Sequence, residues 1–364
     1  MLVIDIQKQL GDLALSVQLS LPSSGISAVF GRSGAGKSSL ANLISGLTSP
    51  DKGRISLNST VLFDSDKKVS LPPEQRHIGY VFQDARLFPH YKVEGNLLYG
   101  CEGKRTKHFN DVVKLLDIEP LLQRYPHSLS GGEKQRVAIG RAILSEPALL
   151  IMDEPLASLD LPRKHEVMPY LERLAKEIQT PIIYVSHSLD EILRLADHMV
   201  LLNEGSVSLS GDITSVWSSP LMRPWLNASE HSALLEGTIT ELHPEHPMTL
   251  VTLKNAQQGI WVKSPCDCTE KGQNIRLRIR ANDVSLIKQQ PELSSIRNIL
   301  PVVIDSLSED KENDVVAVKL NLSGHVLWAN ITRWAKDELA LAPGQQWFAQ
   351  IKGVSVTQSD LCPK

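Results

Sequence analysis

The sequence predicts an α/β domain on a largely parallel sheet, followed by a smaller all-β domain. Three observations carry that prediction. Over residues 1–205, apolar runs such as GISAVF, HIGYVF, ALLIMDEP, PIIYVSH and HMVLLNEG alternate with helical stretches. Several of these runs are continuously apolar, as strands covered on both faces require. After about residue 233 the runs become short and alternating, as in MTLVTL, IRLRIR, VVAVKL and HVLWANI, with Gly, Pro, Asn and Asp between them. That pattern belongs to small β barrels.

A length of 364 residues suits about two domains of ordinary size. The hydrophobic fraction of 42% and the charged fraction of 22% are those of a globular protein. A net charge of -3 gives no reason to expect nucleic acid as a partner. No apolar run is long enough to span a bilayer, and MLVIDIQKQL has no basic region followed by a long apolar one. Four cysteines stand at 101, 266, 268 and 362 without zinc spacing, as expected of unpaired thiols in a reducing cytosol. Pro220, Pro224 and several serines mark residues 206–230 as a connector. The expected domains are 1–229, a β-rich segment 230–292, and a tail domain 293–359. In IRLRIR, Arg276, Arg278 and Arg280 fall opposite Ile275, Leu277 and Ile279, and a solvated face is the expected place for them.

The stretch AVFGRSGAGKSSL reads as strand, glycine turn and helix start, and it fills G-x-x-x-x-G-K-S/T. Glycine lets the backbone wrap so that successive N–H groups point inward, and the helix adds its positive end. Gly31, Arg32, Ser33, Gly34, Ala35, Gly36, Lys37, Ser38 and Ser39 are therefore the candidate cradle for the phosphates of ATP. Lys37 supplies charge to the β and γ phosphates, and the Ser38 hydroxyl suits Mg²⁺. In LLIMDEP, Asp153 and Glu154 end a buried strand, at the sheet edge where open α/β folds bind ligands. Asp153 is the candidate for the Mg²⁺ shell, and Glu154 for orienting or deprotonating the attacking water.

LSGGEKQRVAIGRA supplies a second anion-binding helix start at Ser130, Gly131 and Gly132. One ATP cannot easily use two such starts within one sheet, whereas a head-to-tail homodimer can. This stretch resembles the signature of ABC-type ATPases, the P-loop motors of ATP-binding cassette transporters, which join a RecA-like core to a helical subdomain. The resemblance covers residues 1–229. It implies that Gln83, in YVFQDARLFPH, senses Mg²⁺ and the attacking water. It likewise implies that Asp160, ending ASLD, crosses a dimer interface, and that His187, in IIYVSHSLDE, meets the γ phosphate. Where many relatives stack an aromatic ring on adenine, this chain reads IQKQLGDLAL, with Leu10 near that place. About 45 residues between Gln83 and the signature match the subdomain that docks on membrane subunits in importers. The implied assembly is an ATPase homodimer beneath two integral-membrane permease subunits, peripheral to the cytoplasmic face of the inner membrane. The resemblance also implies a separate binding protein that delivers the cargo from outside.

The tail carries the cargo signal. SSIRN and LWANITRWAKDELALAPGQQWFAQIKGVSV resemble the molybdate-binding Mop domain, an OB-like barrel. Backbone N–H groups, Ser, Arg and Lys can satisfy a tetrahedral dianion. By position, Ser295, Arg297, Asn298, Lys352 and Ser355 are the candidates. Together the two resemblances point to the ATP-binding subunits of molybdate importers. Import of tungstate or sulfate, and a soluble ABC ATPase with an oxyanion-sensing tail, stay open at this stage.

Overall fold

The structure is a computed structural model and describes residues 1–101, 107–226, 231–256, 258–264, 270–310, 314–353 and 361–363. The chain divides into two compact units, Met1–Ile213 and Thr214–Lys364.

The first unit runs β1 (Leu2–Leu10), β2 (Leu13–Leu21), β3 (Ile26–Phe30), α1 (Lys37–Ser45), β4 (Lys52–Leu57), β5 (Thr60–Asp64), β6 (Val69–Ser70) and β7 (Ile78–Val81). It continues with α2 (Val93–Leu98), α3 (Lys107–Leu115), α4 (Gly131–Ile143), β8 (Leu149–Asp153), α5 (Leu161–Glu177), β9 (Ile182–Val185), α6 (Leu189–Leu195), β10 (His198–Asn203) and β11 (Ser206–Asp212). These strands form one sheet in the order β6-β5-β4-β1-β2-β11-β10-β3-β9-β8-β7. The half from β10 to β7 is parallel, and the β6-to-β2 half is an antiparallel wing. Every residue of β3 and β9 is buried, which explains the unbroken apolar runs. In β1 and β2 buried residues alternate, because only one face of that wing is covered. The parallel register sets Val81 beside Met152 and Asp153 beside Val185. The segments leaving β3, β7, β8 and β9 therefore emerge at one edge.

Helices α2, α3 and α4 build the helical subdomain. Gly140 lets α4 approach closely: a Cβ there would stand 3.0 Å from Leu97 and 3.1 Å from Leu116. Among the described residues no helix is long and apolar enough to cross a membrane.

After α7 (Ile213–Ser218), the described residues of the second unit are mainly β-strands, with 3-10 turns at Pro220–Trp225 and Ala281–Asp283 and a short α-helix. Its strands are β12 (Ser232–Leu242), β13 (Met248–Leu253), β14 (Gly259–Lys263), β15 (Asn274–Arg280), β16 (Val284–Ile287), β17 (Asn298–Asp310), β18 (Val315–Leu322), β19 (His325–Thr332), β20 (Gln346–Ile351) and β21 (Leu361–Pro363), with α8 (Arg333–Glu338) before β20. They make two antiparallel sheets, β14-β13-β12-β15-β21 and β16-β20-β17-β18-β19. Both sheets contribute to one core, in which Leu235, Val251 and Leu277 join Val302, Val318 and Trp347. The segments expected as 230–292 and 293–359 thus share a single interior, and Trp217 Nε1 ties residues before 229 to it by donating to Ser232 O at 2.9 Å.

Two arginines of the β15 row, Arg276 and Arg278, are packed rather than solvated, while Arg280 stays about one-third exposed beside Asp283. Arg276 is buried, with Glu236 Oε1 at 3.8 Å; Arg278 donates to Ser232 Oγ at 3.2 Å and lies over Trp217. Alternation showed that these side chains leave the apolar face, but not that other chain segments cover the opposite one.

Candidate active site

The phosphate loop follows β3 because glycine alone fits its two ends. A Cβ on Gly31 would stand 2.2 Å from Leu202 O, a backbone atom that cannot swing aside. Gly36 adopts φ +98°, and a Cβ there would lie 2.6 Å from Leu15 Cδ1. Arg32, Ser33 and Gly34 form the exposed tip; Ala35 is buried below them, and Ser39 follows in the first turn of α1. Lys37 is 6% exposed, and its ammonium donates to Gly31 O at 3.0 Å and Arg32 O at 3.1 Å. Glu154 Oε1 lies 4.0 Å away. The cation is thus held under the loop that its own residue closes.

Asp153 ends β8 and Glu154 turns away from it. Glu154 takes φ +48°, a left-handed conformation uncommon for a residue with a Cβ. Its N–H donates to Val185 O at 2.9 Å, and its carbonyl accepts from Ala157 N–H at 3.1 Å, so both neighbours hold the turn. The turn sends the two carboxylates to different partners. Asp153 Oδ1 accepts from Ser38 Oγ at 2.9 Å, and Oδ2 accepts from the Tyr80 hydroxyl at 3.1 Å. Burial pushes the Asp153 carboxyl up, against these two hydrogen bonds and Lys37, which pull it down. Glu154 Oε2 instead stands 3.2 Å from His187 Nδ1, just past the end of β9. Lys37, Ser38, Asp153, Glu154 and His187 therefore converge from three adjacent parallel strands. Ser38 and Asp153 offer hard oxygens, and among the described residues no group of three or more His, Cys, Asp or Glu is arranged to hold a metal ion by itself. One carboxylate and one hydroxyl beside a phosphate cradle fit Mg²⁺, which keeps waters and substrate oxygens as ligands.

Gln83 is exposed two residues past the Val81–Met152 pair, at the same edge as Glu154. Ser130 caps α4 in a reciprocal box. Its Oγ accepts from Glu133 N–H at 3.2 Å, and its N–H donates to Glu133 Oε2 at 2.6 Å. Gly131 and Gly132 pack under Leu159 and Val167, so the signature start leans on the Asp160 segment and α5. Asp160 is exposed and caps α5 by accepting from Arg163 N–H at 3.1 Å. The Ser130 hydroxyl and N–H bond with Glu133, and its carbonyl accepts from Lys134 N–H at 2.9 Å.

In the tail, Ser295, Arg297 and Lys352 are exposed, and Asn298 is buried. Pairing of Asn298 with Ile351 puts Arg297 and Lys352 at the same end of the β17–β20 pair. Asn298 does something else. Its Oδ1 accepts from Trp261 N–H at 2.7 Å, while Nδ2 donates to Trp261 O at 2.8 Å and Ile351 O at 3.3 Å. The amide joins the two sheets. Ser355, like Cys266 and Cys268, lies outside the described residues.

Comparison with known proteins decides the family. The ABC transporter family model matches residues 15–157, and the TOBE domain model matches residues 294–358. The molybdenum import ATP-binding protein ModC of Aliivibrio fischeri is 87% identical over 364 residues, covering 100% of both chains. The chain belongs to the molybdenum import ATP-binding protein family. A protein of the same name from Photobacterium profundum is 59% identical, covering 99% of this chain and 100% of its own. Among solved structures, CbiO1 of Clostridium perfringens, part of the ABC transporter complex CbiONQ, is 29% identical at a TM-score of 0.52. It covers 61% of this chain and 93% of its own.

Two residues that the sequence did not single out also shape the site. Tyr80 lies between Asn42 Oδ1 and Asp153 Oδ2, at 3.1 Å from each. Burial is the largest cause that pushes its phenol upward. A tyrosine within an apolar strand needs a partner for its hydroxyl, and HIGYVF held that signal without naming the partner. Asn96 is fully buried in α2 and bonds the backbone of Phe88, Tyr91 and Lys92, fixing the segment after Gln83.

Proposed function

We propose that this chain hydrolyses ATP to drive molybdate import, with Glu154 orienting and deprotonating the attacking water. The observation that carries this reading is the meeting of Lys37, Glu154 and His187 at one strand edge: Glu154 lies 4.0 Å from Lys37 and 3.2 Å from His187. Gly31 to Ser39 wrap the triphosphate, and Lys37 exchanges its loop carbonyls for phosphate oxygens. Ser38 and Asp153 hold Mg²⁺, which when bound neutralises charge on the β and γ phosphates. His187 contacts the γ phosphate, and Gln83 reports its state to the helical subdomain.

Two chains act head to tail. Ser130, Gly131 and Gly132 of one close over the ATP of the other, and Asp160 lies at the interface. The cargo assignment is supported by full-length identity to molybdenum import proteins. Two permease subunits receive the work at the cytoplasmic face of the inner membrane, where the ATPase is peripheral, and a molybdate-binding protein delivers the anion from outside. The docking surface is the segment held by Asn96, where Phe88 packs 4.7 Å from the exposed ring of Tyr99 and Arg141 lies over Phe88. In the tail, Arg297 and Lys352 draw the oxyanion, Ser295 and Ser355 add hydroxyls, and Asn298 braces the strand behind them.

Glu154→Gln tests the catalytic core. ATP affinity is expected to stay within about threefold while turnover falls at least about 100-fold, the range of a lost general base. Turnover near that of the unaltered chain would remove Glu154 from this role.

A further inference from the structure

A buried carboxylate stands four residues after His187. Glu191, in the first turn of α6, is 5% exposed. Its Oε2 accepts from the Tyr184 hydroxyl at 2.9 Å and the Ser186 hydroxyl at 2.8 Å. Its Oε1 accepts from Lys164 Nζ at 2.9 Å. Ser186 Oγ also accepts from Ser188 N–H at 3.0 Å, and Ser188 caps α6 by accepting from Glu191 N–H at 3.4 Å. Both residues that flank His187 are therefore tied to one carboxylate, Ser186 directly and Ser188 through the shared hydroxyl. His187 itself turns outward, its side chain 58% exposed and 3.2 Å from Glu154. Lys164 adds a link to α5, one turn after the cap, where its N–H donates to Asp160 O at 2.9 Å.

Stability alone is a weak reason for this arrangement. A buried ion pair contributes little over an apolar side chain of similar shape, because removing charges from water offsets their attraction. A fully satisfied polar network does fix geometry. Here the geometry fixed is the turn that presents His187.

We propose that Glu191 is a positioning residue for ATP hydrolysis: its carboxylate pins the backbone on both sides of His187 and couples that turn to the helix begun by Asp160. The inference rests on the reading in which His187 meets the γ phosphate. The imidazole sits on a short turn between β9 and α6, and a misplacement of about 1 Å can cost about 100-fold in rate.

The test is a double-mutant cycle on the full-length chain, with Mg-ATP turnover, KM and ATP binding measured for each variant. Glu191→Gln keeps the shape but puts an amide against the Lys164 ammonium. Ser186→Ala removes the hydroxyl shared by Glu191 and Ser188, and it serves if Glu191→Gln fails to fold. Each is expected to lower kcat about 10-fold with KM within about threefold, and to add less than about twofold to the loss caused by His187→Ala. An equal loss with and without His187 would make Glu191 merely structural and overturn the proposal. So would turnover within about twofold of the unaltered chain in both variants. Should His187→Ala itself leave turnover intact, the γ-phosphate reading fails, and the positioning role is overturned with it.

Discussion

The phosphate loop and the start of β17 were both candidate anion sites, and they are built in opposite ways. The loop is a backbone site. Gly31 is held against a backbone carbonyl that leaves no room for a Cβ, Gly36 takes a φ of +98° that side chains disfavour, and Lys37 is buried beneath the wrap. The tail site is a side-chain arrangement, with Arg297 and Lys352 exposed at one strand end and Asn298 turned inward to bridge two sheets. A backbone site demands particular residue types at fixed spacing, so sequence exposes it. A side-chain site depends on which way each residue faces, and neighbouring residues in one short motif can do unrelated work.

The sharpest way to break the comparison is Gly31→Ala. A Cβ 2.2 Å from Leu202 O forces the backbone to move, and nucleotide binding is expected to disappear in a fluorescent-nucleotide titration. Retained binding would show that the loop is not shaped by that contact. Asp153→Asn comes next, with Mg-dependent turnover expected to fall at least about 100-fold. The same change should raise the melting temperature of the nucleotide-free protein. Burial holds the Asp153 carboxyl above its ordinary range, so folding favours its protonated form. Its stabilising contribution is present below the ordinary carboxylate value and is lost as pH rises through the folded one. At neutral pH the charge therefore opposes folding, and calorimetry near pH 7 should show the gain while the gain shrinks in acid.

The tail offers a smaller and more divided pair. Asn298→Ala leaves the part-buried N–H and carbonyl of Trp261 without this partner, and should destabilise the second unit by about 2 kcal/mol. Arg297→Ala should leave the melting temperature unchanged and weaken molybdate binding about tenfold in a calorimetric titration. Equal melting losses in both would erase the distinction between brace and ligand. The smallest effect is expected at Gly34, which has φ +81° but nothing within 4 Å of a Cβ. Gly34→Ala should lower stability by about 1 kcal/mol in urea unfolding and leave ATP affinity within about threefold.

Much of the cassette was legible because its chemistry is tied to chain order. Strand, glycine turn and helix lie within thirteen residues in AVFGRSGAGKSSL, and LLIMD announces both a buried strand and its charged end. The rest was illegible for a common reason: it depends on partners far away in sequence. Tyr80 reaches Asp153 across 73 positions, and Asn298 reaches Trp261 across 37. Arg276 belongs to a row that alternates as a solvated one would, yet it is buried near Glu236. Period-two alternation tells which side chains share a face, and what covers that face is a matter of packing.

By itself, the sequence determined the order of the elements, the phosphate loop, the carboxylate pair, the signature helix start and the change to an all-β tail. Local chemistry suffices for these, since glycine conformations, helix caps and apolar periodicity act within a few residues. Only the tertiary structure decided that Glu154 faces His187 while Asp153 faces Ser38 and Tyr80, and that Asn298 is a brace. It also decided that Glu191 lies beneath the turn of His187. Those outcomes follow from the register of parallel strands and the closing of one core by two sheets, which join residues that no local rule connects.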